Sequence, residues 1–357
     1  MKILHVITSL KTGGAERLMV DLLPRLRDKG AEVDLLLFDG TETPFKAQLR
    51  SAGIRIFETG YNPDVYDIRN LSALRKYLKG YDIIHTHNTA CQYYAALAKT
   101  IFGIKGKFVT TEHNTTNRRR NIKGFKHVDR RIYSRYDKII CISEKAEDML
   151  REYIGNDFPI LTIPNGIDTR RFAEAAASNL FDKNRTTIIQ VAAFREQKDQ
   201  PTLIRATALL PNNYHTVFVG DGVCRPQCEA LAEELGISDR VMFLGVRTDI
   251  PQLLKAADIV VLSSRYEGLS LSSVEGMAAR KPFIASDVNG LREVVYGAGI
   301  LFECGNAEEL AGKIKEIAEN QILYDQVADK CFRRAQEFDI SKMADSYYNV
   351  YQSLSDE

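Results

Sequence analysis

The sequence predicts an α/β protein of two doubly wound, Rossmann-like domains, each built on a parallel sheet. Short apolar segments alternate with helical patterns along the whole chain, as expected for a parallel sheet covered by helices. A turn-rich stretch at 163–168 interrupts the alternation, which then restarts. The length of 357 residues also exceeds what one hydrophobic core usually accommodates. We therefore predict domains over 1–165 and 166–339, with a helix at 340–357 that packs back on the first domain.

The first half contains short apolar segments that fit buried strands. They are Ile3–Ile7, Val33–Phe38, Ile54–Phe57, Ile83–His87, Phe108–Thr111 and Lys138–Ile142. Helical patterns separate them, with leucines at helical spacing over Glu16–Lys29 and alanines and tyrosines over Thr89–Phe102. The apolar stretch after Met1 runs into a glycine turn, so we interpret it as a buried first strand and not as a secretory signal.

The second half repeats the alternation after an aperiodic stretch at 173–184. Its predicted strands are Thr187–Ala193, Thr216–Gly220, Val241–Leu244, Ile259–Ser263 and Phe283–Ser286. The final segment, Ser341–Leu354, predicts an amphipathic helix. The apolar side of that helix indicates core packing and consists of Met343, Tyr347, Tyr348, Tyr351 and Leu354.

Composition and charge exclude several classes of function. Lys and Arg (48) nearly balance Asp and Glu (47), so the global charge gives no argument for nucleic acid. We find no run of about 18 apolar residues, which argues against a membrane-spanning helix and leaves surface attachment open. The six cysteines indicate reduced thiols, and Cys224 and Cys228 lack a second pair to complete a zinc site. We expect a cytoplasmic protein, or one at the cytosolic face of a membrane.

Gly13 and Gly14 lie between the first predicted strand and the first helix. Glycine there lets the backbone approach a ligand, and the free amides of the helix end attract negative charge. A tight structural turn explains the pair almost as well, and the spacing lacks the later glycine of the dinucleotide-binding fingerprint. Because ligands bind beyond the carboxyl ends of strands in open α/β sheets, we expect a site in the cleft between the domains.

The strongest local pattern follows the predicted strand Ile259–Ser263. Glu267 lies in a loop, and Glu275 lies in the early turns of the next helix. Both carboxylates can then face a ligand over the strand ends, while the amides near Ser270, Leu271 and Ser272 bind its phosphates. Alternatively, Glu275 only favours the positive end of a helix, which is worth about 0.3–1 kcal/mol.

Several motifs occur in combination along the chain. They are Glu-x7-Glu, Gly-Met-Ala-Ala and Ile-Ala-Ser-Asp within Glu267–Val295, Pro-Asn-Gly-Ile-Asp at 164–168, Gly-Gly-Ala-Glu-Arg at 13–17 and Phe-Leu-Gly at 243–245. The combination resembles glycosyltransferase family 4 over nearly the whole chain, with the motifs in the order expected for that family. The resemblance implies the GT-B architecture of two Rossmann-like domains, retention of anomeric configuration, and chemistry without an obligatory metal cofactor.

The resemblance also implies the substrates. The second domain would bind a nucleotide-diphosphate sugar, with a UDP-sugar as the expected donor. The first domain would hold the acceptor, a lipid-linked or growing glycan of envelope, capsule or lipopolysaccharide synthesis. The alternatives are a nucleotide-sugar epimerase on the same fold, a sensor that binds a nucleotide sugar without turnover, and a transferase to a small soluble acceptor.

The family roles map onto the carboxylates and the helix after them. The resemblance implies that Glu275 binds the ribose and that Glu267 contacts the transferred sugar. It also implies that the backbone amides of Ser270 and Leu271 donate to the diphosphate. We expect the catalytic group to consist of Glu267, Lys198 and His113.

Lys198 matches the basic residue that neutralises the leaving diphosphate in the family. The family often has an arginine directly before the Phe194 position, whereas this chain has Ala193. We suggest that Arg195 supplies the missing charge, with a solvated loop cation as the alternative. Such cations stabilise the charge that develops on the diphosphate more in the transition state than in the ground state.

His113 matches a histidine that the family places near the reacting sugar. It would hydrogen-bond a sugar hydroxyl, orient the acceptor, or act as acid or base. His85 and His87 end the preceding strand, and a His-x-His pair suggests a metal. We find no third ligand in the sequence, so we interpret His85 and His87 as a wall of the acceptor pocket.

A basic segment spans 117–138. Its cations are Arg118, Arg119, Arg120, Lys123, Lys126, Arg130, Arg131, Arg135 and Lys138. Apolar residues between them would let the segment lie on an anionic membrane, as family members with lipid-linked acceptors do. The alternative is a solvated helix with its apolar face in the core. Nucleic-acid binding is unsupported, because the chain shows none of the usual modules.

Overall fold

A computed structural model describes residues 1–11, 13–60, 64–113, 122, 124–268 and 270–356. The chain divides into two compact units, one formed by Met1–Asn165 with Ile340–Glu357 and the other by Gly166–Asp339. Each unit is built on one parallel sheet with helices on both faces. The predicted class, α/β with two Rossmann-like domains, is confirmed.

The first unit contains a seven-stranded parallel sheet. Its strands are β1 Lys2–Ile7, β2 Glu32–Leu37, β3 Arg55–Glu58, β4 Ile83–His87, β5 Lys107–Glu112, β6 Lys138–Cys141 and β7 Ile160–Thr162. They lie in the order β3-β2-β1-β4-β5-β6-β7. The chain thus leaves β1 toward one side of the sheet and returns through β4 on the other, so the loops after β1 and β4 diverge at a switch point.

Helices cover both faces of this sheet. They are α1 Gly14–Asp28, α2 Pro44–Ser51, α3 Arg69–Tyr77, α4 Thr89–Phe102, α5 Phe125–Tyr133 and α6 Glu144–Ile154. Local sequence sets several helix starts. The side chain of Thr43 accepts a hydrogen bond from the Lys46 amide before α2, and that of Ser143 accepts one from the Ala146 amide before α6.

The second unit contains a six-stranded parallel sheet in the order β10-β9-β8-β11-β12-β13. The strands are β8 Thr186–Val191, β9 Tyr214–Val219, β10 Val241–Phe243, β11 Ile259–Leu262, β12 Phe283–Ser286 and β13 Ile300–Phe302. The helices are α7 Thr169–Ala173, α8 Gln200–Leu209, α9 Arg225–Glu234, α10 Ile250–Ala256, α11 Leu271–Ala278, α12 Arg292–Val295, α13 Ala307–Glu319 and α14 Gln321–Glu337. Here the switch point lies between β8 and β11.

The C-terminal helix α15, Ile340–Asp356, belongs to the first unit. Its buried side chains join the core on one face of that sheet, where they pack with leucines of α1. The hydroxyl of Tyr351 lies 2.5 Å from Nδ1 of His85, and that of Tyr347 lies 3.2 Å from Oγ1 of Thr111. The helix therefore covers the carboxyl-terminal halves of β4 and β5 with polar as well as apolar contacts.

The sequence patterns do not predict β7 or β13. Both strands are three residues long, which is too short for a recognisable alternation. Among the described residues, none of the helices combines the length and the apolar character needed to cross a bilayer.

Candidate active site

The switch point of the second unit brings Lys198 and Glu267 together. Lys198 ends the short 3-10 turn Glu196–Lys198 after β8, and Glu267 lies in the loop after β11. Because β8 and β11 are parallel neighbours, both loops leave the same edge of the sheet. Lys198 Nζ donates to Glu267 Oε1 at 2.5 Å, with side-chain exposures of 17% and 7%. We call this pair and its surroundings the second-unit site.

Neighbouring polar groups fix both members of the pair. Ser264 Oγ donates to the same Oε1 of Glu267 at 2.6 Å, and Gln197 Nε2 donates to the Tyr266 carbonyl at 2.8 Å. The backbone oxygen of Lys198 accepts hydrogen bonds from Gln190 and from Ser263, at 3.0 and 3.2 Å. The lysine and the carboxylate are therefore held in place before any ligand arrives, which is the preorganisation that electrostatic catalysis needs.

The loop of Glu267 rests on Gly290, which follows β12. Gly290 has φ +87°, and a Cβ on it would lie 2.2 Å from the Gly268 oxygen and 2.3 Å from the Glu267 oxygen. The Gly290 amide donates to the Glu293 carboxylate. Only glycine combines this conformation with so close a backbone contact, so Gly290 sets the height of the Glu267 loop above the sheet.

Helix α11 begins beside this loop. Ser270 is its N-cap and is buried, and the amides of Leu271 and Ser272 open the helix, with no earlier helical carbonyl to bond. Glu275 lies in the second turn and is half-buried. A Cβ on Gly276 would lie 2.8 Å from the Phe283 ring and 2.9 Å from Val260, so glycine lets α11 approach the sheet closely. The α11 N-terminus thus follows the Glu267 loop within one strand–helix unit.

Arg195 lies on the same turn as Lys198. Its backbone oxygen accepts the Lys198 amide at 2.9 Å, and its side chain is exposed, as is that of Ala193. The structure thus gives Arg195 a position one short turn from Lys198. Its role in charge neutralisation stays a prediction.

The first unit has a cavity of ≈ 310 Å³ at the carboxyl ends of its central strands, which we call the first-unit cavity. Its lining is largely polar and includes Thr8, Asn88, Glu112 and His113. Asn88 precedes α4 with φ 70° and ψ 152°, a backbone region that essentially only glycine occupies. Asn88 Nδ2 donates to Thr8 Oγ1 at 2.8 Å. Such strain costs about 1–3 kcal/mol and clusters at functional sites.

Glu112 is a cavity residue that the sequence analysis missed. It ends β5 and is buried, and its Oε1 accepts hydrogen bonds from Gln92 Nε2 at 3.2 Å and from the Tyr133 hydroxyl at 2.5 Å. Its position directly before His113, at the end of a central strand, is the signal that could have identified it.

His113 is half-buried and contacts a cluster of three buried histidines. Its Nε2 lies 3.0 Å from Nδ1 of His87, and Nε2 of His87 lies 3.0 Å from Nδ1 of His5. Nε2 of His85 lies 2.8 Å from Oγ1 of Thr111. Burial lowers the pKa of His5 to about 3 and that of His113 to about 4, and it holds the pKa values of His85 and His87 well below the usual range. All four imidazoles are therefore neutral near pH 7.

The interpretation of His85 and His87 as a pocket wall is wrong. Both side chains are fully buried beneath α15, because alternate residues of β4 face the same side of the sheet and that side is covered. His5 on β1 lies beside them, so the expectation that a third ligand is missing is also wrong. Among the described residues, these three histidines form the one group close enough to share a cation. Asn88 and Glu112 line the cavity instead.

Gly13 and Gly14 open α1. Gly13 has φ −176°, an extended conformation that any residue adopts, and a Cβ on it would lie 2.1 Å from the Glu16 carboxylate. Burial raises the pKa of Glu16 by more than a backbone hydrogen bond lowers it. A rotation of the flexible Glu16 side chain would relieve this contact, and a ligand role for Gly13 and Gly14 stays a prediction.

The basic segment falls partly outside the described residues, which include neither Arg118, Arg119 and Arg120 nor Lys123. In the described part, Lys126 and Arg131 are exposed on α5. The apolar residues of that part are divided: Ile132, Tyr133 and Tyr136 are buried in the core, whereas Val128 is exposed. The buried side chains agree with the core-face alternative, and the exposed cations leave a membrane role as a proposal.

Two families match the chain, one on each half. The family described as Glycosyltransferase Family 4 matches residues 12–171, and the one described as Glycosyl transferases group 1 matches residues 171–334. The second match contains Lys198, Glu267 and Glu275. Together the two matches cover residues 12–334, which include most of both parallel-sheet units.

Curated relatives and solved structures agree with these families. The putative glycosyltransferase EpsF of Bacillus subtilis is 26% identical over 89% of this chain and 87% of its own. The UDP-Gal:alpha-D-GlcNAc-diphosphoundecaprenol alpha-1,3-galactosyltransferase of Escherichia coli is 26% identical over 80% of each chain. The crystal structure of Anabaena Alr3699/HepE in complex with UDP, at 24% identity, covers 99% of this chain and 100% of that one with a TM-score of 0.82. The chain is therefore a GT-B glycosyltransferase of the group 1, family 4 type.

Proposed function

We propose that this glycosyltransferase moves a sugar from a UDP-sugar to a lipid-linked glycan, with retention of the anomeric configuration. The second-unit site binds the donor, and the first-unit cavity binds the acceptor end. The observation that carries the proposal is the preorganised Lys198–Glu267 pair at the β8–β11 switch point, directly before the N-terminus of α11.

The donor argument starts from charge. Breaking the bond between the anomeric carbon and the phosphate oxygen leaves new negative charge on the UDP. Lys198 and the first amides of α11 stabilise that charge, because both a fixed cation and a helix N-terminus interact favourably with an anion. Arg195 lies close enough along the chain to add a second cation.

Glu267 and Glu275 recognise the two sugars of the donor. The Glu267 carboxylate, which accepts from Lys198 and Ser264 in this structure, accepts from hydroxyls of the transferred sugar when donor is bound. Glu275, in the second turn of α11, accepts from the ribose hydroxyls. An acid that is already oriented loses little conformational entropy when it binds a sugar.

The transfer balances without a further reagent. The bond from the anomeric carbon to the acceptor oxygen forms on the face that the diphosphate leaves, and the acceptor proton passes to the departing phosphate. Retention follows, because the new bond forms on the side of the old one. His113 and Glu112 orient the acceptor hydroxyl from the first-unit cavity.

The nature of the acceptor is supported by the relatives. Two of them are named for sugar transfer to diphosphoundecaprenol-linked glycans, in Escherichia coli and in Campylobacter jejuni. A carrier of that kind lies in a membrane, so the enzyme would act at the cytosolic face. The exposed Lys126 and Arg131 of α5 would contribute about 1 kcal/mol each on an anionic surface.

Thermal unfolding with a panel of nucleotide sugars tests the donor. UDP-glucose, UDP-galactose, UDP-N-acetylglucosamine and GDP-mannose are compared at equal concentration, because a ligand at 100 times its dissociation constant adds about 2.7 kcal/mol of stability. We expect a UDP-sugar to raise the melting temperature most. The same result with Glu275→Ala would contradict the ribose role, and Glu229→Ala, which changes an exposed carboxylate of α9, is the control.

Product analysis tests the acceptor and the stereochemistry. The preferred UDP-sugar is incubated with an undecaprenyl-diphosphate glycan or with the same glycan lacking the lipid. We expect faster transfer to the lipid-linked form and a product whose anomeric proton coupling matches that of the donor. Release of an isomeric UDP-sugar without acceptor would identify an epimerase instead, and an inverted product would contradict retention.

A further inference from the structure

Three imidazoles form a continuous hydrogen-bonded chain under the first-unit cavity. His5 comes from β1, His87 from the end of β4, and His113 follows β5. Both nitrogen–nitrogen distances along the chain are 3.0 Å, and the rings of His5 and His87 stack with their planes 10° apart. His113 lines the cavity, whereas His5 and His87 are fully buried. The chain therefore connects a cavity side chain to the core beneath it.

Counting protons limits this chain to two arrangements. Each neutral imidazole has one protonated nitrogen, and burial keeps all three imidazoles neutral by lowering their pKa values. His87 has one proton and two imidazole partners, so it donates to one and accepts from the other. Either the donors run from His5 to His87 to His113, or they run in the opposite direction.

The far end of the chain discriminates between the two directions. Nε2 of His5 is buried and has no hydrogen-bond partner among the described residues. If His5 donates from Nδ1, this Nε2 is a bare lone pair. If His5 accepts at Nδ1, this Nε2 carries an orphaned N–H. Orphaned buried N–H groups are the rarer and more costly defect, so the first direction is favoured.

We propose that His5 and His87 are positioning residues that hold His113 as its Nδ1–H tautomer, with Nε2 of His113 accepting from His87. The nitrogen of His113 that is not engaged by His87 is then a hydrogen-bond donor. His113 consequently binds an oxygen of the substrate and does not remove the acceptor proton. This assignment rests on the proposed function only for the identity of that substrate; the tautomer itself is a property of the unliganded protein.

His85 lies beside the chain but outside it. Its two nitrogens face the Tyr351 and Thr111 hydroxyls, and a hydroxyl can either donate or accept. The tautomer of His85 is therefore not determined by the proton count. A cation held by Nδ1 of His5 and Nε2 of His87 would displace the proton between these two nitrogens, because a nitrogen that binds a metal carries no proton.

NMR spectra of the protein labelled with ¹⁵N-histidine test the proposal. Long-range proton–nitrogen spectra distinguish a protonated from a bare imidazole nitrogen, and His113→Gln identifies the His113 signals by their loss. We expect Nδ1 of His113 to be protonated and Nε2 to be bare in the wild type. A protonated Nε2, or an equal mixture of tautomers, would overturn the proposal.

Two further experiments distinguish a positioning role of His5 and His87 from a purely structural role. His5→Phe removes the first donor of the chain, so we expect the protonated Nε2 form of His113 to appear, together with an about tenfold fall in kcat/KM at unchanged KM for the UDP-sugar. His127→Gln, at an exposed histidine of α5, should leave both readouts unchanged. One equivalent of Zn²⁺ should not shift the His5 and His87 signals. A shift would overturn the proposal, because it would show that these histidines bind a metal and do not form the hydrogen-bonded chain.

Failure of the proposed function would look different. In that case the spectra would still give the Nδ1–H tautomer of His113, but no UDP-sugar would be turned over. The reverse result, turnover with the opposite tautomer, would overturn the histidine chain and leave the transferase proposal standing.

Discussion

The two units use opposite electrostatics on the same sheet architecture. The second-unit site holds a charged pair, Lys198 and Glu267, in direct contact. The first-unit cavity sits above neutral imidazoles, and its buried Glu112 accepts hydrogen bonds from Gln92 and Tyr133. The difference matches the chemistry that we assign to each: one site must receive a charged diphosphate, whereas the other must orient a neutral hydroxyl. Similar topology therefore says where a site lies, and the local charges say what it binds.

The largest expected effect comes from removing the cation of the charged pair in the second-unit site. Lys198→Ala should lower kcat about 100- to 1,000-fold, since it removes a preorganised cation from the leaving diphosphate. Steady-state rates of sugar transfer measure the loss. Lys183→Ala, which removes an exposed lysine of the same unit, is the control and should retain full activity. Loss of less than tenfold for Lys198→Ala would remove the lysine from the mechanism.

The buried neutral His5 of the first unit should make the stability of the protein depend on pH in acid. The folded pKa of His5 is about 3, below the unfolded value of about 6.5, so the unfolded chain binds the extra proton first. Stability is then intact above about pH 6.5 and falls as the pH is lowered toward the folded pKa, by up to about 1.4 kcal/mol per pH unit from this one group. Urea unfolding between pH 7 and 4.5 measures the slope. His5→Phe should flatten it, and an unchanged slope would contradict a buried neutral His5.

A smaller effect tests how the Glu267 loop is supported. Gly290→Ala should destabilise the protein by about 2–4 kcal/mol, because the left-handed conformation and the contact with the Glu267 oxygen are both penalised. Gly305→Ala is matched to it, with φ +83° and open space at the Cβ position, and should cost only about 1–2 kcal/mol. Denaturant midpoints compare the two variants. Equal losses would show that the loop contact contributes nothing.

The smallest effect concerns the strained backbone of the first-unit cavity. Both Asn88→Gly and Asn88→Ala lose the hydrogen bond to Thr8, but only the glycine variant relieves the conformation at φ 70° and ψ 152°. We expect the glycine variant to be more stable than the alanine variant by about 1–3 kcal/mol. Calorimetric melting temperatures give the order. The reverse order would mean that Asn88 is unstrained in solution.

The sequence predicts the parts of the fold and of the site that depend on local pattern. Alternating strand and helix patterns identify most strands of both sheets, and the Glu-x7-Glu spacing selects Glu267 and Glu275. The contact of Glu267 with Lys198 follows once β8 and β11 are known to be neighbours. Roles inferred from the family, such as that of Arg195, are still predictions.

The histidine cluster could not be predicted from local pattern. His5 and His87 are separated by 82 positions, and their contact depends on β1 lying beside β4 in a particular register. The burial of His85 depends in addition on Tyr351, which is 266 positions away. A strand that ends in His-x-His looks the same whether its face is open or covered. Only the position of α15 decides this, and no periodicity within β4 reports it.

The position of α15 has a consequence for how the chain matures during translation. The core of the first unit includes side chains from segments on both sides of the second unit, such as Ile3 and Leu354, so the first unit is discontinuous in sequence. The second unit is continuous, at Gly166–Asp339, and can collapse as soon as it leaves the ribosome. One face of the first sheet stays uncovered until α15 is synthesised, after the second unit. The first unit is therefore synthesised before the second unit, but its core is completed after that of the second unit.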